Sequence, residues 1–150
     1  MKKIIYRTLV ALVAVIMSVA CQSEGEQYLN QIVGEWHYTG SDSNVDEDIW
    51  IAFNSDMTFE LYQKIGDGVH RCIKGTYSIN VKDKIISGLY EDNYPWKDDY
   101  KFNVSDKVLA LQTVSDGQHY AYARQSIPSE VRTMSLPLVK SGCVFGPRCL

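Results

Sequence analysis

The chain has 150 residues, 15 Lys+Arg against 18 Asp+Glu and a formal net charge of −3, with 45% hydrophobic and 22% charged residues. These values exclude a wholly disordered chain, suit a single domain, and offer no basic excess to release phosphate counterions, so nucleic acid is not an expected partner. Ten tyrosines lean the expectation toward β structure, because aromatic side chains suit pleated, half-buried surfaces.

The first segment reads as an export signal. Lys2, Lys3 and Arg7 form a basic lead, and Leu9 to Met17 is an unbroken apolar run of nine residues. That run is too short to span a bilayer, which takes about 20 residues, but suits a signal-peptide core. Ser18-Val19-Ala20-Cys21 follows. It resembles a bacterial lipobox, departing from it at Ser18, where the pattern has Leu or a similar apolar residue. The resemblance implies cleavage after residue 20 and acylation of Cys21; ordinary signal cleavage beside a chance cysteine is the alternative. With acyl chains the protein is anchored to a membrane without spanning it, and the expected location is the cell envelope, on the outer membrane. Loss of residues 1–20 leaves 12 basic and 18 acidic residues, a net charge of −6. Residues 21–27 read as a polar tether, and Glu24 and Glu26 resemble the acidic lead that sends some Bacteroidetes lipoproteins to the cell surface.

A helical turn over Glu26–Ile32 would place Tyr28, Leu29 and Ile32 at one end of the domain. Eight strands follow by alternation: Val33–Thr39, Asp48–Phe53, Met57–Ile65, Val69–Asn80, Lys84–Tyr90, Asp99–Val104, Lys107–Val114 and Gln118–Arg124. Gly88 weakens the fifth. Turn chemistry at Asn54-Ser55-Asp56, Gly66-Asp67-Gly68, Asn80 to Asp83, Ser105-Asp106 and Ser115-Asp116-Gly117 marks short links. Short links force antiparallel neighbours, and closure removes the two free edges. The expectation is all-β: an eight-stranded antiparallel up-and-down barrel over residues 28–126. Residues 127–150, broken by Pro128, Pro137 and Pro147, read as a tail packed on or trailing the barrel, with one helical turn at Ser129–Arg132.

Gly34-Glu35-Trp36 opens the first strand and Arg124 closes the eighth. This pattern resembles the Gly-x-Trp signature and the late basic residue of lipocalins. The resemblance implies that Arg124 lies across Trp36 at the closed end of the barrel, a structural role for Gly34, Trp36 and Arg124. Phe53-Asn54-Ser55-Asp56-Met57-Thr58-Phe59 resembles a Phe-x-x-Asp-Gly-Thr-Phe hairpin, with Met57 in place of Gly, and Gly75-Thr76-Tyr77-Ser78-Ile79 resembles a Gly-x-Tyr-x-Ile strand. Together these are similar to the small lipocalin-like lipoproteins of Bacteroidetes.

Tyr38, Phe59, Tyr77, Tyr100, Phe102, Tyr120 and Tyr122 share inward parity. They are the candidate ligand-binding residues, lining a cavity for a small hydrophobic or amphipathic molecule. An eight-stranded interior is also just wide enough for side chains to fill it, in which case the barrel is a surface interaction protein acting through its loops. Both readings stand at this point. The loop Asp42 to Asp48 is acidic; a solvated loop, a calcium site or a lid over the open mouth fits it. His37, His70 and His119 show no metal-ligand spacing, with His37 and His119 placed outside on neighbouring strands. No Gly-x-Ser-x-Gly, phosphate loop or dinucleotide fingerprint is present, so no catalytic residue, metal or cofactor is expected. Beyond Cys21, three cysteines remain. Cys143 and Cys149 form the favoured disulfide, and Cys72 is a small buried hydrophobe.

Overall fold

The computed structural model describes residues 23–41, 48–65 and 68–137. Cys21, Cys143, Cys149, the signal segment and loop residues 42–47 lie outside them. The first helix, α1 (Glu24–Ile32), begins three residues into the stretch expected as a tether. The cause is a capping box: the Ser23 hydroxyl accepts from the Glu26 amide, and the Glu26 carboxylate accepts from the Ser23 amide.

Eight strands follow: β1 (Gly34–Ser41), β2 (Ile49–Phe53), β3 (Thr58–Ile65), β4 (Val69–Asn80), β5 (Ile85–Tyr90), β6 (Tyr100–Val104), β7 (Val108–Thr113) and β8 (His119–Arg124). Each lies within a residue or two of its expected bounds. Consecutive strands pair antiparallel, β1 pairs β8, and the sheet closes on itself. The architecture is therefore an eight-stranded antiparallel up-and-down barrel. A bulge between Tyr38 and Gly40 shifts the β1–β8 register and bends the strand there.

Strand direction gives the barrel two different ends. Gly34, residues 54–57, 81–84 and 105–107, and the chain after Arg124 gather at one. The β1–β2, β3–β4, β5–β6 and β7–β8 connections gather at the other. Helix α1 closes the first end: Ile32 is fully buried, Leu29 packs on the core, and the Tyr28 ring meets Phe102 edge-on at 5.6 Å. Tyr28, Leu29 and Ile32 thus cap the barrel as their spacing predicts. In the β2–β3 hairpin Met57, at the position where the resembled pattern has Gly, adopts a left-handed φ of +65°, and its amide donates to the Asn54 carbonyl.

Helix α2 (Ser129–Met134) extends the expected turn and lies on the outer wall. There Val131 and Ile127 bury Trp50, Ala52, Tyr62 and Cys72 in a second apolar cluster. Strand β2 is buried on both faces as a result. The tail also contributes an unexpected two-residue strand, β9 (Leu136–Pro137), running parallel to β4 at Arg71 and Cys72. Strand β5 pairs only with residues 75–80 of β4, so β9 covers edge that β5 leaves open.

Candidate functional site

At the closed end Arg124 stacks on Trp36, 4.1 Å from ring centroid to guanidinium carbon. It donates to the carbonyls of Gln31, Val33 and Asp106, joining α1, β1 and the β6–β7 turn. Trp36 is fully buried and donates from Nε1 to the Ile32 carbonyl at 2.8 Å. Gly34 has φ +142°, and a β-carbon there would overlap the Arg124 guanidinium. Gly34, Trp36 and Arg124 form one structural knot, all polar groups engaged.

Above this knot the expected inward aromatics line the interior. Tyr38, Phe59, Tyr77, Tyr100, Phe102 and Tyr122 are each 5% exposed or less, and Tyr120 is half-buried. They meet ring on ring: Tyr38 against Tyr122 at 5.5 Å, Phe53 against Tyr77 at 5.0 Å, Tyr100 against Tyr120 at 6.3 Å, all edge-on. Burial pushes the Tyr77 phenol up to about 12, with Asp56 adding to the shift, and pushes Tyr90 and Tyr100 further. These hydroxyls stay neutral and serve as donors and acceptors; Tyr77 donates to the Asn54 carbonyl at 2.8 Å.

Tyr90 at the end of β5 joins these rings, and a further one comes from outside the strands. Trp96, from the β5–β6 connection, turns into the barrel and packs edge-on against Phe59 at 5.2 Å and Tyr100 at 6.1 Å. Residues 94–96 fold back along β5: Tyr90 donates to the Tyr94 carbonyl, and Trp96 to the Gly88 carbonyl. The indole then lies over Gly88, where a β-carbon would overlap it. Gly88, read from sequence as a weak point in a strand, is the clearance for this ring. Trp96 is 5% exposed, and its Nε1–H has no hydrogen-bond partner.

Opposite α1 lies the end that no described helix covers, the open end, and it carries a polar layer. Gln63 lies opposite Ile49 on one side and Arg71 on the other. Ile49 and Ile73 belong to the inner core and Cys72 to the outer cluster, so Gln63 and Arg71 share inward parity. Gln63 is 3% exposed, and its Oε1 has no partner. Tyr38, Tyr100 and Tyr120 complete this layer from β1, β6 and β8.

No protein-family model and no curated protein matches the sequence. Solved structures do match. A protein from Bacteroides uniformis determined by NMR superposes with a TM-score of 0.53 at 21% identity, over 66% of this chain and 93% of that one. A lipocalin-like protein from the same species superposes with a TM-score of 0.48 at 19% identity, over 63% and 99%. The likeness is one of fold. The Arg124–Trp36 stack implied by the sequence resemblance is present at the barrel's closed end.

The remaining candidates lie on the barrel's outer wall. His37 and His119 do not meet: His37 faces Ala123 in the β1–β8 register, while His119 bonds Gln112. His37 instead stacks on Trp50 at 3.9 Å, and Asp48 accepts from His37 at 3.2 Å, His70 at 3.0 Å and Trp50 Nε1 at 2.8 Å. Asp48, the last residue of the acidic loop, is thus tied to the wall. Among the described residues no group of three or more His, Cys, Asp and Glu side chains is arranged to hold a metal ion. Lower on the wall Arg132 bridges Glu35 and Glu60, and Lys74 and Tyr62 also donate to Glu60. Burial raises the Glu60 carboxyl, but these donors outweigh it and hold it below its usual range. Cys72 is a free thiol beneath α2, and burial pushes it up. These contacts fasten α2 to the barrel.

Proposed function

We propose that this protein binds a small hydrophobic or amphipathic molecule through the open end of its barrel. The observation that carries the reading is the Trp96 indole N–H, buried inside a barrel with no acceptor. Leaving such a donor unpaired costs about 1–3 kcal/mol, and unpaired buried groups in native proteins mark strain or function. Trp96 hangs from a connection at the open end whose turn holds Asn93 at φ +64°. A ligand that enters there displaces or contacts the indole and supplies the missing acceptor. Native mass spectrometry of the protein with added single-chain lipids tests this; a retained one-to-one adduct is expected, and no adduct with any lipid class would count against it.

The close ring packing of the interior favours a second reading, a filled barrel whose open-end loops dock a protein partner. Crosslinking from residues 42–48 then recovers one specific protein from envelope extracts, while lipids leave the mass spectrum unchanged.

On either reading the chain is proposed to be tethered to the outer membrane through acylated Cys21, which the lipobox-like Ser18 to Cys21 supports. Cys21→Ser should abolish fatty-acid labelling and release the protein from membranes; unchanged attachment refutes the anchor.

A further inference from the structure

We propose that the open end is a head-group site for an amphipathic carboxylate, held by Gln63 and Arg71. The inference rests on the ligand-binding reading and adds the chemistry of the ligand's polar end.

Gln63 and Arg71 face each other across the β3–β4 ladder, both with inward parity, at the open end. Gln63 is the sharper observation. Its carboxamide is almost fully enclosed, and Oε1 has no partner. Oxygen and nitrogen of such an amide exchange places by a simple flip, so the group is able to present either an acceptor or two donors to the same spot. A buried amide left short of partners costs free energy, and it is set beside a guanidinium rather than among apolar neighbours alone. Arg71 is half-buried on the same inner face. Among the described strand residues, the inward-parity positions carry no Asp or Glu, and the other inward-parity cation, Arg124, is bound at the closed end. At the open end Arg71 is thus the one cation among the described inward-parity strand positions. Arg71 already makes an interaction in the protein; an entering carboxylate shares or replaces it.

The geometry suits a single anionic head. A guanidinium takes a carboxylate in a two-pronged contact, and the flipped Gln63 amide donates a further N–H to it. Trp96 Nε1–H lies deeper as another donor without a partner. Below the polar layer the wall is apolar: Ile51, Leu61 and Leu109 are 1% exposed or less, which suits an alkyl tail. A neutral alcohol would forgo the charge-assisted bonds, and an ammonium head would meet Arg71 as a like charge.

The test uses three probes of one tail length and different heads: decanoate, decanol and decyltrimethylammonium. Each is titrated into the full chain below its micelle concentration, read by calorimetry and tryptophan fluorescence. Decanoate should bind tighter than both others by about tenfold or more, the scale of a charge-assisted hydrogen bond. Arg71→Met should erase that preference while decanol affinity persists, and Arg71→Lys should keep part of it. If Arg71→Met fails to fold, Gln63→Glu decides: it should abolish decanoate binding and spare decyltrimethylammonium. Equal affinity for the three heads, or a carboxylate preference that survives in Arg71→Met, overturns the head-group site and leaves the ligand-binding reading standing. Binding of none of the three overturns both.

Discussion

Replacing Arg124 with Met keeps most of the apolar stem and removes the guanidinium. The structure gives the loss two parts. The stack on Trp36 at 4.1 Å is worth about 0.5–2 kcal/mol. The bonds to the carbonyls of Gln31, Val33 and Asp106 lie where water can replace the donor, so each contributes at the low end, about 0.5–1 kcal/mol. The sum is about 2–5 kcal/mol, or roughly 10–20 °C in Tm for a domain of this size. Urea unfolding followed by tryptophan fluorescence measures it. Arg132→Met is the control, because that guanidinium sits on the outer wall in partly exposed ion pairs, where about 1 kcal/mol is expected. If Arg124→Met costs no more than Arg132→Met, the closed-end knot does not stabilise the barrel.

Three further outcomes follow from particular residues. Met57→Gly relieves a left-handed non-glycine conformation, about 1–2 kcal/mol, against about 0.4–1 kcal/mol of added unfolded-state entropy; the net is a small gain in urea midpoint, and a loss would contradict the turn geometry. Gly88→Ala places a β-carbon in the Trp96 ring and should expel the indole, red-shifting its emission and destabilising the fold by about 3 kcal/mol, near the cost of losing a buried aromatic ring; unchanged emission would place Trp96 elsewhere. Glu60, held below its usual range by Lys74, Tyr62 and Arg132 against the pull of burial, contributes stability that is present above the unfolded value of about 4.3 and lost as pH falls below it. Glu60→Gln should therefore flatten the urea midpoint between about pH 5 and 3, and an identical slope in the variant would remove Glu60 from the acid response.

The barrel was legible because its inner face is written with period two. Tyr38, Phe59, Tyr77, Tyr100 and Phe102 alternate with polar neighbours, Tyr122 lies between two alanines, and all six turn inward. The outer wall was harder. Trp50, Ala52, Tyr62 and Cys72 face outward yet are buried, because α2 covers them from far along the chain; alternation treats an outward residue as solvated and has no term for a distant cover. The unbroken apolar Ile49–Phe53 was the available sign. The start of α1 was readable in Ser23-x-x-Glu26, a capping signature hidden inside a stretch that composition marks as tether. Strand β9 is two residues long and ends in proline, too short for any periodicity. Trp96 was missed because it belongs to a connection, and Asn93-Tyr94-Pro95 reads only as turn; the matching clue is Gly88, a strand position kept empty for a ring. Gln63 carried no local signal at all, since its significance comes from being enclosed by neighbours on β2 and β4.

The chain has three tryptophans, and their indole N–H groups report on three places. Trp36 donates to Ile32 at the closed end, Trp50 donates to Asp48 on the outer wall, and Trp96 has no partner inside the barrel. A proton–nitrogen NMR titration with decanoate therefore tests the central claim in one spectrum. The Trp96 indole resonance should move saturably downfield as it gains an acceptor, together with the backbone amides of Gln63 and Arg71, while the Trp36 indole stays in place. Movement of Trp36 or Trp50 with Trp96 unchanged, or no saturable movement at all, would contradict ligand binding through the open end.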